Sequence, residues 1–411
     1  MSARPEAPPW LVAAPPGLRA WALEPYFGGS HRRFLQGLAS RSRHHYSLYT
    51  LPGRDWKWRM HGAALTLAAE CRAAAQAADP PHVLFASDML DLATFKALAH
   101  PVVAAAPTIL YMHENQLTYP LPPGVDRDLG YGFKNLTSVL AAERVLFNSA
   151  FHREEFLSAV EALLDELPDA VPYWAADEVA AKSEVLPLGC DLAWLDEHRP
   201  ANGACERGSG RWGDKADGPL LLWNQRWEYD KAPGEFFWAL YALQERGLPF
   251  RLALAGANHG LPTAEFVEAR RRLDREIVQW GRVEQAADYA SLLWEADIVV
   301  STALHEFFGA AVVEALYCGC HPVLPRRLSY PEIVPKEAHR EALYGPGELV
   351  HALVRAVERA SPAGGATGSS WSMEWQRTWV SRYDWNAMVS RYDSAVHECW
   401  EDARAKGIKE G

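Results

Sequence analysis

DIVVSTALHEFFGAAVVEALYCGCHPVLP, residues 297–325, holds a complete strand–helix–strand unit. The run at 297–301 is short, apolar and β-branched, 309–318 carries apolar residues at helical spacing, and 321–324 is apolar again. Apolar strands joined by a crossover helix pair in parallel and are covered on both faces, so this stretch predicts an α/β protein with parallel sheets.

The alternation continues on either side. Strands at 219–224, 250–255 and 277–280 with helices at 232–246, 263–275 and 285–295 complete one unit. Strands at 20–24, 82–86, 108–112, 144–147 and 184–188, with helices near 30–39, 62–77, 91–98, 131–142 and 150–166, build a second doubly wound unit. The glycine-rich, aperiodic stretch 200–218 reads as a linker between them. The expected organisation is a disordered tail at 1–19, an N-terminal Rossmann-like acceptor domain at 20–199, the linker at 200–218 and a C-terminal Rossmann-like donor-nucleotide domain at 219–360. Residues 361–411 follow as a loose Gly/Ser-rich segment and a closing helix at 385–400.

A length of 411 residues exceeds one ordinary core, which agrees with two domains. No apolar run approaches the roughly 18–20 residues that span a bilayer, and the Pro/Ala-rich start lacks the form of a secretory signal. Six scattered cysteines, at 71, 190, 205, 318, 320 and 399, do not form a disulfide framework. A soluble, cytoplasmic protein without stable membrane association is expected.

The net charge of −11 conceals an asymmetry: residues 1–60 carry nine Lys/Arg against three acids, and 151–190 carry nine acids against two bases. Arg32, Arg33, Arg41, Arg43, Arg54, Lys57 and Arg59 are interleaved with His44, His45, Tyr46, Tyr49, Trp56 and Trp58. That mixture suits phosphates and stacked bases. It also fits a solvated helix face followed by a loop whose tryptophans pack inward.

Ligands of open α/β sheets bind beyond the carboxyl ends of strands, and four such loops stand out. Gly28 and Gly29 follow the first strand and allow backbone N–H groups to approach a phosphate, with Ser30 able to cap the next helix; a structural turn fits equally. His113, Glu114, Asn115 and Gln116 form a polar run after the strand at 108–110, suited to sugar or substrate hydroxyls or to a hydrogen-bonded turn. Arg226 ends a strand and Lys231 begins a helix, so both cations are placed to neutralise a diphosphate leaving group. Glu306 lies in a loop and Glu314 on the helix that Gly309 opens, with Phe307 and Phe308 between; the carboxylates suit sugar and ribose hydroxyls, and the helix N-terminus suits a phosphate. A carboxylate beside Val312, Val313, Ala315 and Leu316 needs a partner. Cys318-Gly-Cys320-His321 is spaced too tightly for the usual zinc pattern, and no metal is expected.

The Glu306–Glu314 spacing resembles the E-x7-E motif of family-4 retaining glycosyltransferases, and Arg226 with Lys231 resembles their paired basic residues. The strings EPYFGGSH (24–31), YTLPGRDWKWR (49–59), MHENQLTYP (112–120), FNSAFHREEFL (147–157), RWEYDK (226–231), STALHEFFG (301–309) and EALYCGCHPVLP (314–325) look like the tRNA-queuosine alpha-mannosyltransferase family. That resemblance implies a glycosyltransferase-B fold of two facing Rossmann-like domains around an interdomain cleft, GDP-mannose as donor, and queuosine in a tRNA anticodon, of the tRNA-Asp type, as acceptor. It implies that Gly28, Gly29, Arg226 and Lys231 hold the diphosphate, Glu314 the ribose, Glu306 the mannose and His113 the reacting side of the sugar, with Phe307, Phe308 and Gly309 also at the donor. Arg32, Arg33, Arg54, Trp56, Lys57, Trp58, Arg59, Glu114, Asn115 and Asn148 are the candidate acceptor and tRNA contacts, with Ser149 beside them. No cofactor is expected beyond the donor. The alternatives are the same chemistry on a lipid-linked or polysaccharide acceptor, a non-catalytic nucleotide-sugar or RNA binder, and a nucleotide-sugar epimerase.

Overall fold

The computed structural model describes residues 17–122, 124–199, 211–257, 263–361 and 372–410. Most of the expected tail (1–16), residues 200–210 of the expected linker with Cys205, and residues 362–371 of the expected loose segment lie outside them. The chain divides into two compact units. One contains the residues up to Tyr119, Asp126–Gly189 and the segment from Trp385, and the other contains Pro120–Val125 and Cys190–Asp384.

In the first unit the elements run β1 (Arg19–Phe27), α1 (Gly29–Arg41), β2 (His45–Pro52), α2 (Trp56–Ala77), β3 (Val83–Ser87), α3 (Leu92–Leu98), α4 (Pro101–Ala104), β4 (Thr108–Met112), α5 (Leu129–Ala141), β5 (Arg144–Phe147), α6 (Ala150–Asp165), α7 (Trp174–Ala181) and β6 (Ser183–Val185). Six parallel strands lie in the order β2-β1-β3-β4-β5-β6. The inner strands β3 and β4 are buried along their whole length, which explains their unbroken apolar sequence. Leu84, Leu110, Val145, Phe147 and Phe156 belong to one core on this sheet. The helix Trp385–Glu410 completes the unit: Trp385 packs 5.6 Å from Phe34, and Tyr392 donates to Pro187 O at 2.8 Å.

Two expectations change here. Residues 45–52 form the edge strand β2, and α2 begins at Trp56 rather than at 62, which puts Trp56 and Trp58 in its first turn. They are 38% and 61% exposed, so the loop with inward-packing tryptophans does not exist. Ser30 does not cap α1, because the helix starts at Gly29 with Gly28 as its N-cap residue.

The second unit runs β7 (Leu220–Trp223), α8 (Pro233–Glu245), β8 (Arg251–Leu254), α9 (Ala264–Arg272), β9 (Ile277–Trp280), α10 (Ala286–Glu295), β10 (Ile298–Val300), α11 (Ala310–Tyr317), β11 (His321–Pro325), α12 (Tyr330–Ile333), α13 (His339–Ala342), β12 (Leu343–Tyr344), α14 (Leu349–Ala360) and α15 (Met373–Val380). Its parallel strands lie in the order β12-β11-β10-β7-β8-β9. Trp223, Phe236, Leu240, Leu252 and Val300 are buried in its core; each such side chain contributes roughly 1.5–3 kcal/mol through its lost contact with water.

Strand order decides where ligands enter. In the first sheet the direction of addition reverses between β1 and β3, and in the second between β7 and β10. Beyond the carboxyl ends of those pairs the loops diverge and leave a crevice in each unit.

Candidate active site

At the β7/β10 switch the second unit gathers the charges expected of it. Arg226 lies three residues beyond β7, and Lys231 closes a short 3-10 turn, Tyr229–Lys231, before Pro233 opens α8. Lys231 is 6% exposed. Its Nζ lies 3.0 Å from Asp230 Oδ2 and 3.5 Å from Glu306 Oε2, and it donates to His305 O at 2.7 Å. Burial opposes its charge, but Glu306 and Asp230 more than offset burial and hold the ammonium above its ordinary pKa despite nearby Arg226. Arg226 remains 46% exposed along its side chain, 3.3 Å from Glu228. Two hydrogen bonds join the two loops: the Thr302 hydroxyl donates to Lys231 O at 2.8 Å, and Leu304 N donates to Asp230 O at 2.7 Å.

Gly309 is the N-cap of α11 at φ +92, a conformation that disfavours a side chain, and an added Cβ would sit 3.1 Å from Ile333 Cδ1. Phe307 and Phe308 are buried, Phe307 against His305 at 4.3 Å and Phe308 against Tyr383 at 5.2 Å, so their rings brace the loop. Glu314 is 7% exposed on α11, and the partner its apolar surroundings demand is Tyr289, whose hydroxyl donates to Oε2 at 2.8 Å. Arg226, Lys231, Glu306, Gly309 and Glu314 thus occupy one end of one sheet.

The first unit builds its own cluster at the β1/β3 switch. Glu24 Oε2 lies 3.1 Å from His31 Nδ1, and both are buried. The His31 ring packs tilted against His113 with centroids 4.1 Å apart. Burial alone would lower the His31 pKa; the Glu24 carboxylate, with Asp88 and Glu114 behind it, outweighs burial and raises it to about 9. Burial, then the charges on His31 and His152, hold His113 well below its ordinary value, so it is neutral at pH 7. Asp88, raised to about 7 by burial, accepts from His113 N at 2.8 Å. The ligating atoms of Glu24, His31 and His113 lie within 4.8 Å of one another, but a cation there would have to displace the His31 proton.

Other candidates fall into different roles. Asn115 Oδ1 accepts from Leu117 N and Thr118 N, which commits it to a turn. Asn148 spans His113 O at 2.9 Å and His152 Nδ1 at 2.9 Å, while Ser149 caps α6 by accepting from His152 N. Glu114 is partly buried. Gly28 and Gly29 open α1, and the β2–α2 loop reaches them: a Cβ on Gly53 would fall 2.7 Å from Gly28 Cα. Beyond that contact Arg54, Trp56, Lys57 and Trp58 are exposed and Arg59 partly so, with Trp56 5.2 Å from Tyr131; Arg32 and Arg33 are exposed on α1. The paired cysteines are structural: burial raises both thiols, and Cys320 Sγ donates to Leu293 O. The five described cysteines are all buried.

Residues absent from the expected set are Asp88, His31, Glu24, His152, Asn224 and Tyr289. Asp88 follows a strand end just as His113 does, so the same positional rule marks it.

Residues 19–190 match the family model described as tRNA-queuosine alpha-mannosyltransferase N-terminal, and residues 218–361 match glycosyl transferases group 1. A tRNA-queuosine alpha-mannosyltransferase of Drosophila melanogaster is 37% identical over 319 residues, 77% of this chain and 81% of that protein. The chain belongs to the tRNA-queuosine alpha-mannosyltransferase family. A more distant relative, a GDP-mannose-dependent alpha-(1-6)-phosphatidylinositol dimannoside mannosyltransferase of Mycobacterium tuberculosis, is 27% identical over 54% of this chain and 51% of that protein. Among solved structures, a sucrose-phosphate synthase from Thermosynechococcus elongatus aligns with TM-score 0.64 at 15% identity, over 93% of this chain and 100% of that one. The fold is the glycosyltransferase-B type, and this member of the family is a glycosyltransferase. Among the described residues no helix is long and apolar enough to cross a membrane.

Proposed function

We propose that the chain transfers mannose, with retention of anomeric configuration, from GDP-mannose to queuosine in the anticodon of tRNA, of the tRNA-Asp type, in the cytoplasm. The observation that carries this reading is the buried Lys231, bonded to the Glu306 loop and flanked by Arg226, in a chain 37% identical to a named tRNA-queuosine alpha-mannosyltransferase. As the sugar–phosphate bond lengthens, Arg226, Lys231 and the first N–H groups of α11 take up the charge of the departing diphosphate. Preorganised donors of this kind lower barriers by roughly 3–4 kcal/mol each. Glu306 accepts from mannose hydroxyls and Glu314 from the ribose. The neutral His113 imidazole serves the reacting side of the sugar, where the acceptor hydroxyl enters on the face the diphosphate leaves.

GDP-mannose as donor is supported by the GDP-mannose-dependent mycobacterial relative and by a GDP-mannose:cellobiosyl-diphosphopolyprenol alpha-mannosyltransferase of Xanthomonas campestris, 27% identical over 45% of this chain. For the acceptor, Trp56 and Trp58 offer faces for unpaired bases, and Arg32, Arg33, Arg54, Lys57 and Arg59 offer charges for phosphates, next to the Gly28–Gly29 turn. Incubation with queuosine-containing tRNA and a panel of sugar nucleotides, followed by mass spectrometry of the digested nucleosides, is the test. Mannosyl-queuosine formed only with GDP-mannose, and lost in Glu306→Ala, is expected; transfer from another sugar nucleotide, or none, overturns the reading.

A further inference from the structure

One chain of hydrogen bonds in the second unit joins Asn224, directly after β7, to Tyr289 on α10 and Glu314 on α11. Asn224 Nδ2 donates to Ala311 O at 2.9 Å and to the Tyr289 hydroxyl at 3.2 Å. A carbonyl only accepts, so the amide must present its NH2 group to Ala311. That NH2 also reaches Tyr289, whose single proton is therefore left to donate to Glu314 Oε2 at 2.8 Å. The direction of the chain is set by Ala311, and it ends on the carboxylate. A second observation points to a ligand: Asn224 is 8% exposed, and its Oδ1 is buried with no partner among the described residues. A buried acceptor in that state costs stability unless a donor arrives, and a ligand hydroxyl is such a donor.

We propose that Tyr289, oriented by Asn224, is a positioning residue that fixes the plane of the Glu314 carboxylate, and so sets the preference of the site for nucleotides with intact ribose hydroxyls. The proposal rests on Glu314 as the ribose-binding carboxylate. With Oε2 tied to a phenol on a neighbouring helix, the carboxylate no longer rotates freely, and the orientation of its acceptor lone pairs is preset before the nucleotide binds. The effect belongs to donor binding rather than to the reacting centre.

The test compares GDP with 2′,3′-dideoxy-GDP by calorimetry in the parent and in Tyr289→Phe, which removes one oxygen and keeps the ring. The parent binds GDP more tightly than the dideoxy form. In Tyr289→Phe, GDP weakens about tenfold, the scale of one lost hydrogen bond to a charged group, and the dideoxy form weakens less than twofold. KM for GDP-mannose rises about as far while kcat falls less than threefold. In a Glu314→Gln background, Tyr289→Phe has no further effect, an outcome that general loosening of the helix pair would not give. Asn224→Ala carries the same comparison should Tyr289→Phe fold poorly. An undiminished preference for GDP in the variants overturns the positioning role alone. A parent that does not distinguish the two nucleotides overturns the ribose reading of Glu314 and the proposal with it.

Discussion

Replacing Lys231 by methionine tests the electrostatic centre of the second unit. Lys231 is 6% exposed, and its ammonium lies 3.0 Å from Asp230 and 3.5 Å from Glu306. At an effective dielectric near 20 each such contact is worth about 5 kcal/mol gross, most of which offsets the desolvation of the ions. Methionine fills similar volume but leaves Asp230, 4% exposed, without its cation, and breaking a buried pair in this way costs about 3–5 kcal/mol. Against a total of roughly 5–15 kcal/mol for a domain, that is a large loss. The raised pKa of Lys231 means that its contribution is fully present below the unfolded value near 10.5 and fades only as pH rises through the folded value. The difference between parent and Lys231→Met should therefore be constant from pH 7 to 9. Urea unfolding followed by tryptophan fluorescence measures it, and Asp230→Asn in the same chain should recover part of the loss through coupling of about 1–3 kcal/mol. Lys231→Met within 0.5 kcal/mol of the parent, or a double variant strictly additive, refutes the reasoning. Loss of transfer in Lys231 variants is consequently interpretable only beside a stability measurement, whereas Glu306, 26% exposed at its side chain, is the cleaner probe of chemistry.

His31 gives the first unit a pH signature. Its pKa, about 9 against 6.5 when unfolded, contributes about 3 kcal/mol that is complete below pH 6.5 and lost as pH rises through 9. Thermal melts from pH 6 to 10 should show stability falling in the parent and a flatter profile in His31→Gln; parallel profiles contradict the Glu24–His31 ion pair. Trp56→Ala and Trp58→Ala, at exposed positions, should change stability by less than about 0.5 kcal/mol yet raise KM for tRNA about 5- to 100-fold, the range of one lost base stack. Unchanged tRNA kinetics in both variants would remove that surface from the acceptor site. Neutralising Arg54, Lys57 or Arg59 should instead weaken tRNA binding at low salt and flatten its dependence on salt concentration.

Legibility followed burial. Strands covered on both faces, such as Val83–Ser87 and Thr108–Met112, read as unbroken apolar runs, and their positions were readable to within a residue. β2 is not: as an edge strand, paired with β1 alone among the described residues, it leaves Leu48 39% exposed and mixes polar with aromatic residues, so no period dominates. The start of α2 is hidden with it, because without a strand before them Trp56 and Trp58 look like loop anchors rather than the opening turn of a helix. The two clusters differ for a related reason. In the second unit Arg226, Lys231 and Glu306 lie in two short loops, 224–231 and 301–309, and are visible as motifs, whereas Tyr289, the partner of Glu314, lies on α10 and is not. In the first unit Glu24, near the end of β1, and Asp88, His113 and Asn148, directly after β3, β4 and β5, are each ordinary on their own. Only the order β1-β3-β4-β5 brings those four strand ends side by side and turns isolated polar residues into one network. The neutrality of His113, held by burial and by the charged His31 beside it, is therefore a property of the sheet order, whereas the Glu24–His31 pair that protonates His31 is local to β1 and α1.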